Sequence, residues 1–227
     1  MMPATAQMRR YSPPGGSAPR TPGAGGARSG SCAGDANTTF TALAPYGHVG
    51  QTAATHPTFA WYVPDRQSLE IDFRLYVYGA DNRLQPQPVY RTLLPSTQGF
   101  MTFTLPGTEA ALSVGQHYYW QAALICDPNH RSEDLIVNAE MQIVESTLPE
   151  TERWYDLLKS ELENTASPSE TISDLLMQLA TTERSTSEAL AQSAETAPEA
   201  DHSQLLEQSK DILQHSLQLT QIVETNP

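Results

Sequence analysis

The sequence predicts a mainly β chain, built as an antiparallel two-sheet β-sandwich and followed by C-terminal α-helices. Between residues 38 and 144, apolar and polar side chains alternate with period two, which is the pattern of half-buried strands. Clusters of turn-forming residues separate these segments at short intervals, as in a sandwich of short strands. No helical segment long enough for a crossover interrupts them, which disfavours a parallel sheet.

Composition divides the chain into three parts. Residues 1–36 form a Gly- and Pro-rich leader, which we describe as disordered, with too few apolar groups to offset the entropy of ordering; we expect it to be extended or disordered until Cys32. Residues 37–146 form the predicted sandwich, and residues 147–227 form an acidic helical tail. Within the leader, Ala4 to Ala6 resembles the cleavage box of a signal peptide, which predicts a gene start assigned too late and cleavage near Ala6. An ordinary disordered leader is the alternative.

Seven strands follow from the alternation. In the clearest one, Leu69, Ile71, Phe73, Leu75 and Val77 alternate with polar or tyrosine side chains, which predicts one face in a core and one in water. The predicted strands are residues 39–44, 58–63, 69–78, 89–94, 100–105, 116–126 and 135–144.

Two short patterns refine the fold class. Residues 57–61 and 112–120 resemble the strand with a core tryptophan and the start of a late strand in fibronectin type III and immunoglobulin-like modules. The sequence therefore predicts an immunoglobulin/fibronectin-III-like antiparallel β-sandwich. Alternation places Trp120 and Cys126 on one face of the late strand. Trp61 and Trp120 are expected in the core, with a ligand-binding platform as the alternative.

Beyond residue 147 the apolar spacing becomes helical. Thr147 to Glu150 and Ser167 to Glu170 have the sequence of capping boxes, and Pro168 suits the first position of a helix. Three acidic amphipathic helices are predicted, and they can pack on the sandwich, on one another or on a partner. Their apolar positions are Trp154, Leu157, Leu158 and Leu162; Ile172, Leu175, Leu176 and Leu179; and Leu205, Ile212 and Leu219.

The net charge of −13 limits the partners of this chain. Residues 150–227 carry fifteen acidic and four basic side chains, and the whole chain has two lysines, Lys159 and Lys210. It lacks a basic stripe with which to neutralise phosphates, which argues against nucleic acid and against anionic membrane surfaces. No apolar run reaches the roughly 18 residues of a membrane-spanning helix.

Two cysteines, Cys32 and Cys126, lie too far apart in sequence for a CxxC metal or redox motif. In an exported protein the simplest interpretation is one disulfide between them, which the chain-entropy model values at about 4–5 kcal/mol. In a cytosolic protein both are reduced, buried residues.

Reactive side chains form no recognisable catalytic motif. The six histidines are never spaced as HxH, HExxH or i, i+4 pairs, and the sequence contains no G-x-S-x-G or glycine-rich phosphate loop. We therefore predict no catalytic residue, no metal and no cofactor. The best catalytic candidate is the loop at residues 127–134, where Asp127, His130 and Ser132 are close, but such residues are explained by the backbone needs of a turn.

Five tyrosines provide a candidate binding face. An exposed tyrosine surface can bury into a protein partner or stack on sugars. The first hypothesis is a non-enzymatic interaction or structural module that binds protein; the alternative is a carbohydrate-binding or carbohydrate-active sandwich. We expect the tail helix led by Trp154 to cover this face, which favours the first. The tyrosines in predicted solvent-facing positions are Tyr62, Tyr76, Tyr78, Tyr90 and Tyr119.

A set of short motifs occurs in one order between residues 11 and 160. The motifs are residues 11–14 with Cys32, 41–45, 57–64, 104–106, 112–120, 124–127 with Arg131 and Ser132, and 154–156. In this order they resemble the domain of unknown function 928, an uncharacterised, largely cyanobacterial family. The resemblance implies an exported, extracytoplasmic protein with a Cys32–Cys126 disulfide, and it implies no activity for any residue. Beyond Leu162 the chain departs from the shorter ending expected of that family.

Overall fold

The computed structural model describes residues 10–14, 19, 38–163 and 168–226. Its elements are β1 (Thr41–Ala42), β2 (Gly50–Thr52), β3 (Thr58–Val63), β4 (Glu70–Val77), β5 (Tyr90–Pro95), β6 (Gly99–Thr104), β7 (His117–Ile125), β8 (Leu135–Ile143), α1 (Trp154–Leu162), α2 (Pro168–Thr196) and α3 (Glu199–Thr225). The prediction of β-sheets followed by C-terminal helices is confirmed. The mainly β weighting is wrong, because the long α2 and α3 raise helix to 36% against 27% strand.

The strands form two sheets. One has the order β1-β3-β6, and the other has the order β2-β8-β7-β4-β5. Every pairing is antiparallel except that of β2 with β8, which is parallel and lies at one edge. The sequence analysis missed β2 because three residues are too few to show an alternation of side chains.

The two sheets face each other across an aromatic core. Ile71, Phe73 and Leu75, the inward residues of β4, have no exposed surface. Trp61 of β3 and Trp120 of β7 belong to opposite sheets, and their ring centroids are 6.2 Å apart. The ring centroid of Phe73 lies 5.9 Å from that of Trp61 and 6.3 Å from that of Trp120. Such contacts contribute about 0.5–1.5 kcal/mol each beyond burial. Complete burial confirms the core role of both tryptophans and removes the platform alternative.

The chain enters β7 through a turn anchored by Tyr118. Gly115 has a φ of +82°, a left-handed conformation that glycine adopts without strain. The backbone N–H of Ser113 donates to the Tyr118 hydroxyl at 3.0 Å, and Leu112 beside it is buried. The pattern seen at residues 112–120 therefore ties an incoming loop to the first inward position of a strand.

Helix α1 packs against β2 and β3, one strand from each sheet, and inserts two aromatic residues into the core. The indole N–H of Trp154 donates to the carbonyl of Leu43 at 2.9 Å. The indole N–H of Trp120 donates to the Tyr155 hydroxyl at 2.8 Å. Gly50 is needed opposite this helix, because a Cβ there would lie 2.6 Å from the Tyr155 ring. The tail is thus part of the core.

The first predicted capping box is wrong. Residues Glu150–Glu152 form a 3₁₀ turn, and neither this turn nor α1 has a side-chain hydrogen bond at its N-terminus. Asp156 in the first turn of α1 instead pairs with Arg153 at 2.6 Å and accepts the backbone N–H of Ala53 at 3.1 Å. Tertiary contacts therefore fix where α1 begins. Helix α2 begins at Pro168 as predicted, and the cap residue Ser167 lies outside the described residues.

Helices α2 and α3 form an antiparallel pair, and α2 also packs against α1. Leu176 and Leu179 of α2 and Leu219 and Ile222 of α3 have no exposed surface. The helices therefore pack both on one another and on the sandwich. In the described segments, none of the helices combines the length and the apolar character that crossing a membrane requires.

A buried ion pair joins the α2–α3 pair to the sandwich. Glu183 of α2 lies 2.7 Å from Nδ1 of His215 on α3, and Nε2 of His215 lies 2.9 Å from the carbonyl oxygen of Ala42 in β1. Both ring nitrogens face acceptors, so the doubly protonated imidazole satisfies this site. Glu183 also accepts the backbone N–H of Tyr46 at 2.7 Å. Burial lowers the pKa of His215, but the charge and hydrogen bond of Glu183 outweigh it and raise that pKa above its usual value.

Part of the leader belongs to the fold. Tyr11 is buried with its ring edge-on to Trp154, at a centroid distance of 5.0 Å. Its hydroxyl lies 2.5 Å from Nε2 of His48, and its backbone N–H donates to the Gln178 side chain of α2 at 2.7 Å. Burial lowers the pKa of His48 to about 4, so this histidine is neutral. Residues 10–14 are therefore packed against the fold, ahead of Cys32, where we expected the order to begin.

We expect His215→Ala to lower the free energy of unfolding by about 3 kcal/mol or more at pH 6, because it leaves the Glu183 carboxylate buried and unpaired. The folded-state pKa of His215 is raised, so the contribution of the pair is complete below its unfolded pKa of about 6.5 and is lost as pH rises through the folded value. The gap between the two proteins should therefore shrink with rising pH.

Urea unfolding of wild type, His215→Ala and the exposed α3 control Gln214→Ala at pH 6, 7.5 and 9 measures this effect. A gap that stays constant from pH 6 to pH 9 contradicts the role given to the charged imidazole.

Candidate binding face

The outer face of the five-stranded sheet carries several arginines. In the pairing of β4 with β5, Arg74 lies directly opposite Arg91, and Asp72 lies opposite Leu93. Arg131 reaches the same place from the loop between β7 and β8, where it begins a 3₁₀ turn. We call Arg74, Arg91 and Arg131, with the Asp72 carboxylate that they share, the arginine cluster.

Asp72 is the centre of the arginine cluster. Its side chain has no exposed surface although it stands on the outer face of the sheet. Oδ1 accepts from Nε of Arg91 at 2.9 Å and from Nε of Arg74 at 3.2 Å. Oδ2 accepts from Nη2 of Arg74, Arg91 and Arg131 at 2.6, 2.9 and 3.4 Å. Guanidinium groups therefore cover this carboxylate from three sides.

The arginine cluster keeps its charges at physiological pH. Burial by itself raises the pKa of Asp72, but hydrogen bonds from Arg74 and Arg91 outweigh this effect and lower that pKa to about 2. Arg131 also donates from Nε to Asp134 at 2.5 Å, and this bond raises the pKa of Arg131. Three guanidinium groups thus meet two carboxylates, Asp72 within the cluster and Asp134 beside it, which leaves one positive charge among these five side chains.

The arginine cluster and the side chains beside it are partly exposed. The side chains of Arg91 and Arg131 are 53% and 43% exposed. Leu93, opposite Asp72 on β5, is 51% exposed. Tyr76 follows Arg74 on the same face of β4 and is half-buried. Arginine and tyrosine are enriched among the central residues of protein interfaces.

The tyrosines of this face are less exposed than predicted. Tyr76 and Tyr119 are cross-strand neighbours with ring centroids 6.2 Å apart. Tyr78 donates its hydroxyl to Glu140 at 2.7 Å. The predicted exposure is wrong for Tyr78 and Tyr119, which are buried because they contact neighbouring strands of the same face. Burial raises the pKa of Tyr119, so its hydroxyl keeps its proton.

Tyr62 and Tyr90 do not lie on the outer face of the five-stranded sheet. Tyr62 is buried on the outer face of the three-stranded sheet, where its hydroxyl accepts from Asn226 just beyond α3 at 3.2 Å. Tyr90 pairs with the inward-facing Leu75 and stacks on Phe103 at a centroid distance of 5.8 Å. The predicted exposure is therefore wrong for Tyr62, and the predicted outward position is wrong for Tyr90. The end of the tail covers Tyr62, whereas the helix led by Trp154 enters the core.

The loop at residues 127–134 has the geometry of a turn. Nδ1 of His130 lies 2.6 Å from Asp127, and the backbone N–H of Asn129 donates to the same carboxylate at 2.8 Å. Asp127 raises the pKa of the exposed His130. Ser132 belongs to the adjoining 3₁₀ turn, and none of the hydrogen bonds between described residues joins it to His130. An aspartate that binds the backbone two residues on explains this arrangement.

The absence of a metal and the presence of a disulfide both stay predictions. Across residues 10–14, 19, 38–163 and 168–226, the structure contains no group of three or more His, Cys, Asp or Glu side chains that could hold a metal ion. Cys126 directly follows β7 and packs, partly buried, against the core. Cys32 lies outside the described residues, so the Cys32–Cys126 disulfide stays a prediction.

The sequence analysis missed the arginine cluster. Asp72 and Arg74 occupy outward positions of the clearest predicted strand, so their shared face was visible in the sequence. Arg91 and Arg131 come from a neighbouring strand and a distant loop. Finding them required the register of β4 against β5 and the path of the loop after β7, which the alternation does not give.

Comparison with known proteins assigns a family. A family model described as Domain of Unknown Function (DUF928) matches residues 23–226. The chain belongs to this family. No curated protein and no solved structure matches it. The DUF928 match extends across the sheets and the α2–α3 pair, so the departure expected beyond Leu162 is wrong.

We expect Asp72→Asn to lower the free energy of unfolding by about 3 kcal/mol or more, because a neutral amide leaves the clustered guanidinium charges without their shared anion. Urea unfolding at pH 7 measures the change, with the exposed Glu109→Gln as the charge-matched control. A loss no larger than that of the control means that Asp72 does not organise the arginine cluster.

Proposed function

We propose that this chain is a non-enzymatic interaction module of the cell envelope, outside the cytoplasm, and that it binds a protein partner through the outer face of its five-stranded sheet. The observation that supports this function is the arginine cluster together with Tyr76 and Leu93. Arginine and tyrosine dominate the binding energy of protein interfaces, and a buried salt network holds these arginines in place before a partner arrives.

The distribution of the tyrosines favours a protein partner over a glycan. Stacking on a sugar needs an accessible aromatic ring. Tyr62, Tyr78 and Tyr119 are buried, and Tyr90 packs toward the core. Tyr76 is the remaining half-buried ring of the predicted set. The carbohydrate alternative therefore has no specific support from the described residues.

The fold proposed for this module is an immunoglobulin/fibronectin-III-like sandwich. Two sheets in the orders β1-β3-β6 and β2-β8-β7-β4-β5 are compatible with the A-B-E and A′-G-F-C-C′ arrangement of that class. The bond from Ser113 to the Tyr118 hydroxyl, at the start of β7, has the form of the tyrosine corner found at the equivalent strand. Both features support the sandwich assignment.

The extracytoplasmic location rests on the sequence. Residues 4–6 resemble the cleavage box of a signal peptide, and a Cys32–Cys126 disulfide would suit an exported protein. Both Cys32 and residues 4–6 lie outside the described residues, and the cyanobacterial origin implied by the family resemblance also stays a prediction.

The Cys32–Cys126 disulfide has a direct chemical test. Because the chain has two cysteines, protein made in an oxidising compartment should show no titratable thiol after unfolding, and two after reduction. Ellman titration in guanidinium chloride gives the count. Two thiols before reduction contradict the disulfide and weaken the extracytoplasmic assignment.

The binding face is tested by affinity capture from an envelope extract. We expect Leu93→Asp or Arg91→Glu to lower the amount of partner captured about tenfold or more relative to wild type. Central interface residues contribute about 2 kcal/mol or more to binding. Arg184→Glu makes the same charge change on the exposed side of α2 and should capture as wild type does. Circular dichroism confirms that each variant is folded.

Equal capture by wild type and both sheet variants contradicts binding through this face. Binding to a glycan array that is lost on Tyr76→Ala supports the carbohydrate alternative instead.

A further inference from the structure

We propose that the arginine cluster binds a carboxylate group of an acidic partner protein, as a second anion in addition to Asp72. This inference rests on the proposed function, because it names the chemistry that the same face recognises. It depends on three features of the cluster: the placement of its arginines, their unused donors and their charge balance.

The placement of Arg74 and Arg91 is unfavourable without an anion. They occupy directly opposite positions of β4 and β5, where like charges destabilise a sheet. Asp72 relieves part of this repulsion through contacts of 2.6–3.2 Å with both guanidinium groups. A third guanidinium, that of Arg131, approaches the same carboxylate at 3.4 Å. Arg74 and Arg91 already donate four hydrogen bonds to the Asp72 carboxylate. The third arginine therefore exceeds what Asp72 alone requires.

Some guanidinium donors of the arginine cluster are not used within the described structure. A guanidinium has five N–H donors. Arg91 uses Nε and Nη2 on Asp72, and Arg131 uses Nε on Asp134 and Nη2 on Asp72. No hydrogen bond between described residues uses Nη1 of Arg91 or Arg131, and both side chains are about half exposed. These nitrogens are held in fixed directions, as a carboxylate site requires.

The charge balance favours an anion at short range. Three guanidinium groups against Asp72 and Asp134 leave one positive charge among the bonded side chains, in a chain whose net charge is −13. The exposed Glu70 lies on the same face of β4, two positions from Asp72, and no ion pair between described residues joins it to these arginines. Leu93 and Tyr76 flank the arginines, so the recognised acidic side chain should have apolar neighbours that cover them.

The test uses the full-length protein and a fluorescein-labelled pentaglutamate peptide in fluorescence anisotropy. We expect saturable binding by wild type, and a Kd at least about tenfold higher for Arg91→Gln/Arg131→Gln, because the unused donors are lost. Arg184→Gln removes the same charge from α2 and should bind as wild type does. An uncharged Gly-Ser peptide of equal length should not bind.

Two further variants protect the test against loss of folding. Arg91→Gln alone leaves Asp72 paired with Arg74 and Arg131, so it should weaken pentaglutamate binding while near-UV circular dichroism stays unchanged. Arg91→Lys keeps the charge without the forked donors and should bind more weakly than wild type. Equal affinity of wild type and Arg91→Gln/Arg131→Gln, or no saturation by wild type at millimolar peptide, overturns the proposal.

The outcome separates this inference from the proposed function. Capture that Leu93→Asp abolishes but Arg91→Gln/Arg131→Gln leaves intact overturns the carboxylate site and keeps the protein-binding face. Arginine-dependent peptide binding without any captured protein keeps the carboxylate site and removes the proposed function.

Discussion

The indole of Trp120 donates a hydrogen bond to the hydroxyl of Tyr155, and this contact joins a central strand to the first tail helix inside the core. Its neighbour Trp154 fixes the same helix to the backbone of Leu43. Both polar groups are buried, and a buried indole N–H or phenol hydroxyl is costly without a partner. The packing of the sheets therefore requires α1, and α1 in turn fixes where α2 and α3 can lie.

This constraint gives the outer face of the five-stranded sheet a rigid support. Inward residues of β4 and β7 are held by the aromatic core, so their outward neighbours have little freedom. Asp72 lies between two such inward residues, Ile71 and Phe73, both without exposed surface. A binding group fixed in advance loses less entropy when a partner arrives. The arginine cluster is thus a consequence of the core as well as of its own charges.

Much of the fold could be predicted from periodicity, whereas the contacts between elements could not. The alternation at residues 69–78 identified the inward face of β4 because one side of that strand is buried, and residues 58–63 gave the bounds of β3. Helical spacing predicted that Trp154 lies on the apolar face of a helix. It did not predict that Trp154 enters the core of the sandwich, because an apolar stripe does not identify the surface against which it packs. The capping box predicted at residues 147–150 does not form, because tertiary contacts such as the bond from Ala53 to Asp156 override the local preference.

The binding face was harder to predict than the fold. Strand alternation placed five tyrosines outward, yet burial also depends on which strands and helices lie beside them. Tyr90 turned inward because β5 pairs with β4 through Leu75, and Tyr62 was covered by the chain end after α3. The arginine cluster combines two strands and one loop, so its discovery needed the register that only the folded chain provides.

The central claim is that the sheets and the helical tail form one cooperative unit, joined through the buried side chains of α1. Equilibrium urea unfolding, followed in parallel by tryptophan fluorescence and by circular dichroism at about 222 nm, tests it most directly. The three tryptophans report the shared core and the ellipticity reports mainly α2 and α3. The account predicts coincident transitions with one midpoint. Loss of the helical signal at lower urea, with tryptophan emission unchanged, would contradict it.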